Sequence, residues 1–468
     1  MSPSNINTTP MTAIASMKTI NSLLILLLAF SARAERVLLR GATVHTVSGQ
    51  TLAPGDVLVD GKKIVEVAAT IEPKGARIID LKGQHLYPGL IAADTTLGLI
   101  EISGVAATRD SAEVGQFTPD VRSWIAVNPD SELIPVARAN GITHAQPVPS
   151  GGIVPGLSGV IALAGWTTEE MIIRKPVAMH LTWPSMDLDT RAREQLRDKS
   201  AWKSLDDQAK DRRARLKDID EFFAQAKAYA KSRTDKSIIP AWEAMLPLVR
   251  GEIPIMIRAN DARQIRAAVK WADTNGFYAV IVGGQEAAEV ADLLASKKIP
   301  VIYDTLFEFP SSDADSYDTQ FKTPAILHRA GVKVVFSEGG RFEASMVRNL
   351  PYNAAQAMAF GLPADEALKG ITLYAAQVLG VDERLGSIDA GKEASLFVSD
   401  GDILDIRSKV KRVWIAGEEV SLATRHTRLY EKYRARPAST AAQDSHNPVG
   451  TASVPASQNG KAVGSASQ

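Results

Sequence analysis

The pattern of apolar and polar residues is the same near both ends of the chain. Residues 36–49 and 56–68 alternate apolar with polar positions, and Asp60-Gly61 interrupts the second stretch where a hairpin turn would lie. Residues 393–401 and 409–420 alternate in the same way. Such alternation is typical of strands with one buried face. The sequence therefore predicts two antiparallel β segments that flank the middle of the chain.

Between these segments, short apolar runs alternate with stretches of helical periodicity. That alternation is typical of βα units and of a parallel sheet. The runs predict strands at seven places, namely residues 86–93, 142–148, 177–182, 253–259, 279–283, 300–304 and 332–337. An eighth strand is not visible in the pattern, because residues 189–232 predict one long charged helix whose apolar positions follow a helical stripe.

Residues 1–34 have the features of a signal peptide that starts at Met17. Lys18 precedes an apolar run at residues 23–30, which is too short to span a bilayer as a helix. The Ala-Arg-Ala sequence that ends at Ala34 suits signal peptidase, so we predict cleavage there and an exported protein, periplasmic or secreted. The alternative interpretation is an uncleaved membrane anchor.

The composition excludes several classes of protein. Of the 468 residues, 45% are hydrophobic and 23% are charged, which is enough apolar material for a large folded core. Lys+Arg and Asp+Glu both number 53, so the zero net charge argues against nucleic acid and favours a small-molecule partner. Cysteine is absent, which rules out disulfides and thiolate chemistry. Residues 437–468 have few large apolar side chains and predict a disordered tail.

Three motifs carry a resemblance to a known family. In the segment 86–99, Pro88-Gly89-Leu90-Ile91 is followed by Asp94 and Thr96. Residues 386–398, GSIDAGKEASLFV, and residues 369–381, KGITLYAAQVLGV, supply the second and third motifs. In this order the motifs resemble the amidohydrolase superfamily, and most of all its exported imidazolonepropionase-like members.

The resemblance implies an α/β fold, a TIM-like (β/α)8 barrel with a small composite β-sandwich formed by the N- and C-terminal segments. Residues 88–385 would form the barrel, and residues 35–87 plus 386–422 the sandwich. After cleavage of the signal peptide we expect no membrane association and leave a homo-oligomer open.

The family's metal ligands are mostly replaced in this chain. A metal-dependent hydrolase of the superfamily would carry histidines where this sequence has Asp94 and Thr96, and the fifth and sixth strands carry Arg258 and Gln285 near the other histidine positions. An arginine is always cationic and repels a metal ion. After the last strand, Glu338 takes the place of the family's Asp.

Histidines are too few for the usual binuclear site. Between Gly89 and Leu385 the chain has only His144, His180 and His328, and no two of them are spaced as His-x-His. His180 ends a predicted strand and could face the barrel mouth, although a lone histidine is more often a packed side chain.

The resemblance and the residues together give the candidate site. We predict Glu338 and Asp94 as catalytic carboxylates, with Arg258, His180 and Gln285 as substrate-binding residues. Arg258 would either polarise a carbonyl or hold a substrate carboxylate. Asp94 and Glu338 are also the candidate metal ligands, for one divalent ion such as Mg²⁺ or Ca²⁺, or for none.

Three functions remain open at this stage. The leading one is a hydrolase of carbon–nitrogen bonds other than peptide bonds, acting on a small cyclic amide or a related compound at a degenerate metal site. The second is an inactive pseudoenzyme that binds a small ligand at the barrel mouth. The third is a structural or assembly role, in which the long helix and the sandwich edge contact a partner chain.

Overall fold

The structure is a computed structural model that describes residues 36–233, 238–338 and 343–436. The predicted signal peptide and the predicted tail lie outside these ranges and stay predictions. Among the residues described, no helix is long and apolar enough to cross a membrane. Contacts divide the chain into two units, the first ending at Leu422 and the second beginning at Ala423.

The two ends of the first unit pair with each other in one eight-stranded sheet, as the alternation predicts. The sheet has the order β16-β15-β14-β5-β1-β2-β3, with β4 beside β1. Its strands are β1 (Arg36–Val44), β2 (Leu52–Asp60), β3 (Lys63–Ala68), β4 (Arg77–Asp80), β5 (His85–Pro88), β14 (Leu396–Ser399), β15 (Val410–Ile415) and β16 (Glu418–Val420). Leu86, Leu396 and Trp414 from both ends of the unit share one buried cluster. The composite β domain is therefore confirmed.

The middle of the chain forms a second eight-stranded sheet, in the order β13-β12-β11-β10-β9-β8-β7-β6. Its strands are β6 (Leu90–Thr95), β7 (Ile142–Pro147), β8 (Gly156–Ala162), β9 (Ile172–Thr182), β10 (Ile255–Ala259), β11 (Ala279–Gly283), β12 (Val301–Tyr303) and β13 (Val334–Phe336). The hydroxyl of Ser337, just after β13, donates to the carbonyl of Ala93 on β6 at 2.7 Å. The sheet is thus nearly closed, and the TIM-like barrel is confirmed.

The missing eighth strand lies elsewhere than the charged segment suggests. It is β8, which runs antiparallel to both of its neighbours and follows the second predicted strand. All seven of its residues are buried and small residues interrupt its apolar run, so it has neither strand alternation nor a long hydrophobic stretch. The long helix is shorter than predicted, because it begins at Leu205 rather than at residue 189.

Helices of the first unit cover the outside of the barrel, and one further helix belongs to the second unit. In chain order they are α1 (Leu133–Arg138), α2 (Thr168–Met171), α3 (Leu205–Ser232), α4 (Pro240–Val249), α5 (Ala262–Asn275), α6 (Ala291–Ser296), α7 (Thr319–Arg329), α8 (Glu343–Met346), α9 (Leu350–Ala359), α10 (Ala364–Gly370), α11 (Leu373–Val378) and α12 (Arg425–Arg434). The last belongs to the second unit, where the Thr424 hydroxyl caps its first turn.

Side chains of the barrel strands alternate between the interior and the helical layer. On β11, Val280 and Val282 belong to the interior cluster, whereas Ala279 and Ile281 pack in the cluster that includes the helices. The period of two follows from strand geometry, in which successive side chains point to opposite faces. It also decides which residues beyond the strand ends face the barrel mouth.

Candidate functional site

Arg258 faces the inside of the barrel near the carboxyl end of β10. Met256, two residues earlier, belongs to the interior cluster, while its neighbours Ile255 and Ile257 pack outward. The period of two therefore turns Arg258 inward. Its side chain is 40% exposed, so the guanidinium is open to the mouth rather than sealed in the core.

Asp94 meets Arg258 from the end of β6. It has a positive φ of 49°, a left-handed backbone that Asp tolerates better than most residues, and the pairing of β6 with β7 shifts register beside it. Its side chain is 3% exposed, and its Oδ2 accepts a hydrogen bond from Arg258 Nη2. The other oxygen, Oδ1, is buried and has no hydrogen-bond partner among the residues described.

Asp304 is the second partner of Arg258, and the sequence analysis missed it. It follows β12, and Ile302, two residues earlier, faces the interior. Arg258 Nη1 donates to Asp304 Oδ2 at 2.6 Å. The sequence held only part of the signal: the period of two puts Asp304 on the same face as Ile302, but the structure was needed to show that this face is the inward one.

The three charges strongly affect one another. Burial lowers the pKa of Arg258, but Asp94 and Asp304 outweigh it and raise the pKa above its ordinary value, so the guanidinium stays charged. Burial raises the pKa of Asp304, although Arg258 opposes the shift. With both carboxylates ionised, two negative charges surround one positive charge, so the cluster has a net charge of −1.

His180 lies inside the barrel on β9 and is neutral near pH 7. Burial lowers its pKa to about 4, an effect that the charge of Asp94 opposes and the charge of Arg258 reinforces. Its Nε2 is 2.7 Å from the Ser158 hydroxyl, which also accepts a hydrogen bond from Gln146 Nε2 at 2.9 Å. Ser158 is fully buried, so its hydroxyl positions the histidine and is not an accessible nucleophile.

Gln146 connects this buried network to the charged cluster. Its Oε1 accepts a hydrogen bond from the backbone N–H of Asp94 at 3.1 Å. The side chain is fully buried on β7, where it ties Asp94 to Ser158 and so to His180. Neither Gln146 nor Ser158 was predicted as a site residue, since each is a neutral polar residue whose role depends on contacts across the barrel.

These residues surround a cavity of about 270 Å³ at the carboxyl ends of the strands. Its polar wall includes Asp94, His180, Arg258 and Asp304. The remaining wall residues are mostly small or apolar and include Thr96, Val148, Pro149, Ser150, Gly151, Pro155, Leu181, Thr182, Met256 and Val282. Active sites of TIM barrels lie at this end, and the volume suits a small molecule.

Glu338 lies at the same end of the barrel but outside the lining of this cavity. Val335 and Ser337 take the inward positions of the last strand, so Glu338 falls on the alternate side. Asn353 Nδ2 on α9 donates to its Oε2 at 2.5 Å. Burial raises the pKa of Glu338 to about 7, although the Asn353 hydrogen bond opposes the shift.

The side chain of Gln285 bonds to a different part of the protein from the charged cluster. It follows β11 in an exposed turn, and its Nε2 donates to the carbonyl of Phe309 at 2.8 Å. Gln285 does not line the described cavity. The structure thus brings together three of the predicted residues, Asp94, Arg258 and His180, and keeps Gln285 and Glu338 apart from them.

The residues at the mouth do not fit a divalent metal ion. In the described ranges no three His, Cys, Asp or Glu side chains are placed to hold one. The guanidinium of Arg258 lies between the two carboxylates that would be the best oxygen ligands, Asp94 and Asp304. The two predicted metal ligands already have other partners. Asp94 accepts a hydrogen bond from Arg258, and Glu338 accepts one from Asn353.

Comparison with known proteins gives the family of this architecture. Residues 279–420 match the model of the Amidohydrolase family. The curated protein Amidohydrolase tasK of Hapsidospora irregularis is 22% identical over 407 residues, which are 78% of this chain and 39% of that protein. The chain thus spans about two fifths of the length of that curated relative.

Solved structures agree on the fold. An amidohydrolase from Thermotoga maritima is 28% identical, with a TM-score of 0.71 over 82% of this chain and 99% of its own. An adenosine deaminase from Xanthomonas campestris, solved with bound zinc, is 17% identical, with a TM-score of 0.50 over 86% of this chain and 97% of its own. At this low identity the likeness shows the fold alone. The imidazolonepropionase-like subfamily stays a prediction. Residues 279–420 of this chain therefore carry an amidohydrolase family domain, and its structural neighbours belong to the amidohydrolase superfamily.

Proposed function

We propose that the protein hydrolyses a carbon–nitrogen bond, other than a peptide bond, in a small uncharged carbonyl compound such as a cyclic amide. The observation that carries the proposal is the Arg258 guanidinium, held between Asp94 and Asp304 and open to a cavity of about 270 Å³. A fixed cation at the mouth of a hydrolase-family barrel is suited to stabilise the negative charge that develops on a carbonyl oxygen.

Arg258 has donors left for a substrate. A guanidinium carries five N–H bonds, and the contacts to Asp94 and Asp304 use one on each terminal nitrogen. The carboxylates fix the orientation of the group before a ligand arrives. The remaining donors therefore need little reorganisation when they bind a carbonyl oxygen.

The charge balance favours an uncharged substrate. Asp94 and Asp304 together exceed the single positive charge of Arg258, so a substrate carboxylate would meet a net negative cluster. Of the two roles predicted for Arg258, carbonyl polarisation is therefore the one that we propose.

Proton transfer is assigned to Glu338, and orientation of Arg258 to Asp94. In the reaction, the oxygen of water bonds to the carbonyl carbon, the carbon–nitrogen bond breaks, and a proton passes from the water to the leaving nitrogen. Glu338, with a pKa of about 7, is the acceptor that we propose for that proton, which it reaches through a second water because its side chain lies outside the cavity lining. Asp94 is almost fully buried and holds the guanidinium in place.

The test is a screen of lactams, hydantoins and linear amides, with product detected by mass spectrometry. We expect turnover of at least one neutral member, and a loss of about a hundredfold or more in kcat for Arg258→Gln. Arg407→Gln, which alters an exposed arginine paired with Asp405, is the matched control and leaves turnover unchanged. Turnover that survives in Arg258→Gln would contradict the proposed role of Arg258.

Ligand binding without turnover is the second candidate. It is favoured by the residues at the mouth, because a guanidinium paired with two carboxylates lies where a metal-activated water would be expected in an amidohydrolase domain. A compound that raises the melting temperature of wild type but not of Arg258→Gln, and is recovered unchanged, would support this function over hydrolysis.

We also propose that the protein is exported after cleavage behind Ala34, as the sequence of residues 1–34 predicts. N-terminal sequencing of the protein secreted or released from the periplasm checks this. A first residue of Glu35 supports the proposal, and an intact N-terminus in the membrane fraction would favour the uncleaved anchor.

A further inference from the structure

The family implies a metal ion, but the residues at this mouth do not fit one. The guanidinium of Arg258 pairs with both carboxylates instead. We propose that the guanidinium of Arg258 is the resident cation of the site and takes the position of a divalent ion between Asp94 and Asp304. The inference goes beyond the proposed hydrolysis and does not depend on turnover.

The two carboxylates come from separate parts of the barrel. Asp94 ends β6, at one side of the sheet order, and Asp304 follows β12, near the other. Both point at one residue, Arg258 on β10, and both are nine-tenths buried or more. Like charges that converge in a buried site repel each other unless a cation lies between them. The convergence is therefore evidence for a cation position rather than for a chance ion pair.

Removal of the guanidinium would leave two buried carboxylates without a cation. Asp94 and Asp304 would offer carboxylate oxygens, and His180, in the wall of the same cavity, would offer an imidazole nitrogen. In their wild-type positions the described side chains form no group of three that could hold a metal ion, so these three must move toward one another once the guanidinium is gone. One imidazole with two carboxylates then suits divalent ions such as Co²⁺ and Zn²⁺.

This gives opposite expectations for wild type and for variants of Arg258. The wild-type chain binds no stoichiometric divalent ion at the mouth, because the position is taken. Arg258→Ala gains one bound Co²⁺ or Zn²⁺ per chain. Arg258→Lys, which keeps a cation on the same strand, gains none or binds it at least tenfold more weakly than Arg258→Ala.

The experiment uses the full chain, equilibrated with Co²⁺ or Zn²⁺ and freed of loose metal. Elemental mass spectrometry gives the stoichiometry, and the visible absorption of Co²⁺ reports a nitrogen and oxygen ligand set. The double variant Arg258→Ala with Asp304→Asn is the matched control and loses the ion. Millimolar guanidinium should raise the melting temperature of Arg258→Ala, leave wild type unchanged and compete with Co²⁺.

Two outcomes would overturn the proposal. A divalent ion bound by wild type and lost in Asp94→Asn would mean that metal and arginine share the mouth, and would overturn it. Arg258→Ala that folds but takes up neither metal nor guanidinium would also overturn it. If Arg258→Ala does not fold alone, folding restored by Co²⁺ or guanidinium supports the resident cation, and failure with both contradicts it. Hydrolysis is not measured here, so a failure of the proposed function leaves these results unaffected.

Discussion

Arg258 and Asp304 are joined by an ion pair of 2.6 Å that crosses over a strand of the barrel. Arg258 is on β10 and Asp304 follows β12, so β11 lies between them in the sheet. With the contact from Arg258 to Asp94 on β6, the guanidinium connects three strand ends at the mouth. A single side chain therefore fixes the distance between parts of the chain that are far apart in sequence.

Asp304→Ala should destabilise the protein although it removes only a few atoms. The guanidinium would lose one charged hydrogen bond in a largely buried site, which is worth about 2 kcal/mol. The free energy of unfolding measured in urea should fall by about that amount.

Asp405→Ala is the matched control for Asp304→Ala. Asp405 pairs with Arg407 at the same distance of 2.6 Å, but the Arg407 side chain is 87% exposed. An exposed pair contributes less than about 1 kcal/mol, so this variant should be close to wild type. Equal losses in the two variants would mean that the pair at the mouth is no more than a surface contact.

Much of the barrel could be predicted because its strands are short apolar runs followed by helices. Six of the seven predicted strands match β7 and β9 to β13, with end differences of five residues or fewer. The first prediction, residues 86–93, merged β5 of the outer sheet with β6 of the barrel. That boundary is invisible in the pattern, since residues 86–95 are buried without interruption. β8 was missed for the same physical reason, because a strand buried on both faces shows no alternation.

The candidate site was predictable only where a motif fixed the position. Asp94 and Arg258 were found because they stand at family ligand positions, and His180 because it ends a strand. Their ion pair could not be predicted, since it depends on closure of the barrel and on the left-handed backbone at Asp94. Asp304 required the inward register of β12, which the sequence alone leaves ambiguous by one residue.

Glu338→Gln should change the pH dependence of turnover. A base must be ionised to accept a proton, and burial raises the pKa of Glu338 to about 7. Wild-type kcat should therefore rise with pH through about 7 and level off above it. Glu338→Gln should lose this limb and about a hundredfold in kcat. A profile with the same midpoint in the variant would assign the ionisation to another group.

The same variant has a readout in stability that does not require a substrate. The folded-state pKa of Glu338 lies above the ordinary value of 4.5, so the unfolded chain releases its proton first as the pH rises. As the pH rises from 4.5 to 7, the free energy of unfolding of wild type should therefore fall by roughly 3 kcal/mol relative to that of Glu338→Gln. Urea unfolding of both proteins at the two pH values checks this, and parallel curves would contradict the burial of the carboxyl group.

His180→Gln should remove an acid sensitivity of the fold. Burial lowers the pKa of His180 to about 4 from 6.5, so the unfolded state binds a proton first as the pH falls. As the pH falls from 7 to 4, the free energy of unfolding of wild type should drop by roughly 3 kcal/mol relative to that of the variant. The contribution of Glu338 has the opposite sign but is common to both proteins and cancels. Identical pH slopes would show that His180 titrates as if it were exposed.

Gly89→Ala tests whether the Pro-Gly motif is required by packing at the entry to the barrel. An added Cβ would lie 2.0 Å from Thr143 Oγ1 and 2.7 Å from Thr143 Cβ, so the β6 and β7 strands would have to separate. Overpacking of this kind costs about 2 kcal/mol, which urea unfolding would detect. Gly104→Ala is the control, because its added Cβ has no atom within 4 Å, and it should leave stability within about 0.5 kcal/mol of wild type. An equally small change in the free energy of unfolding for Gly89→Ala would mean that Thr143 moves without strain. The glycine in this motif would then be required for a reason other than the close approach of these two strands.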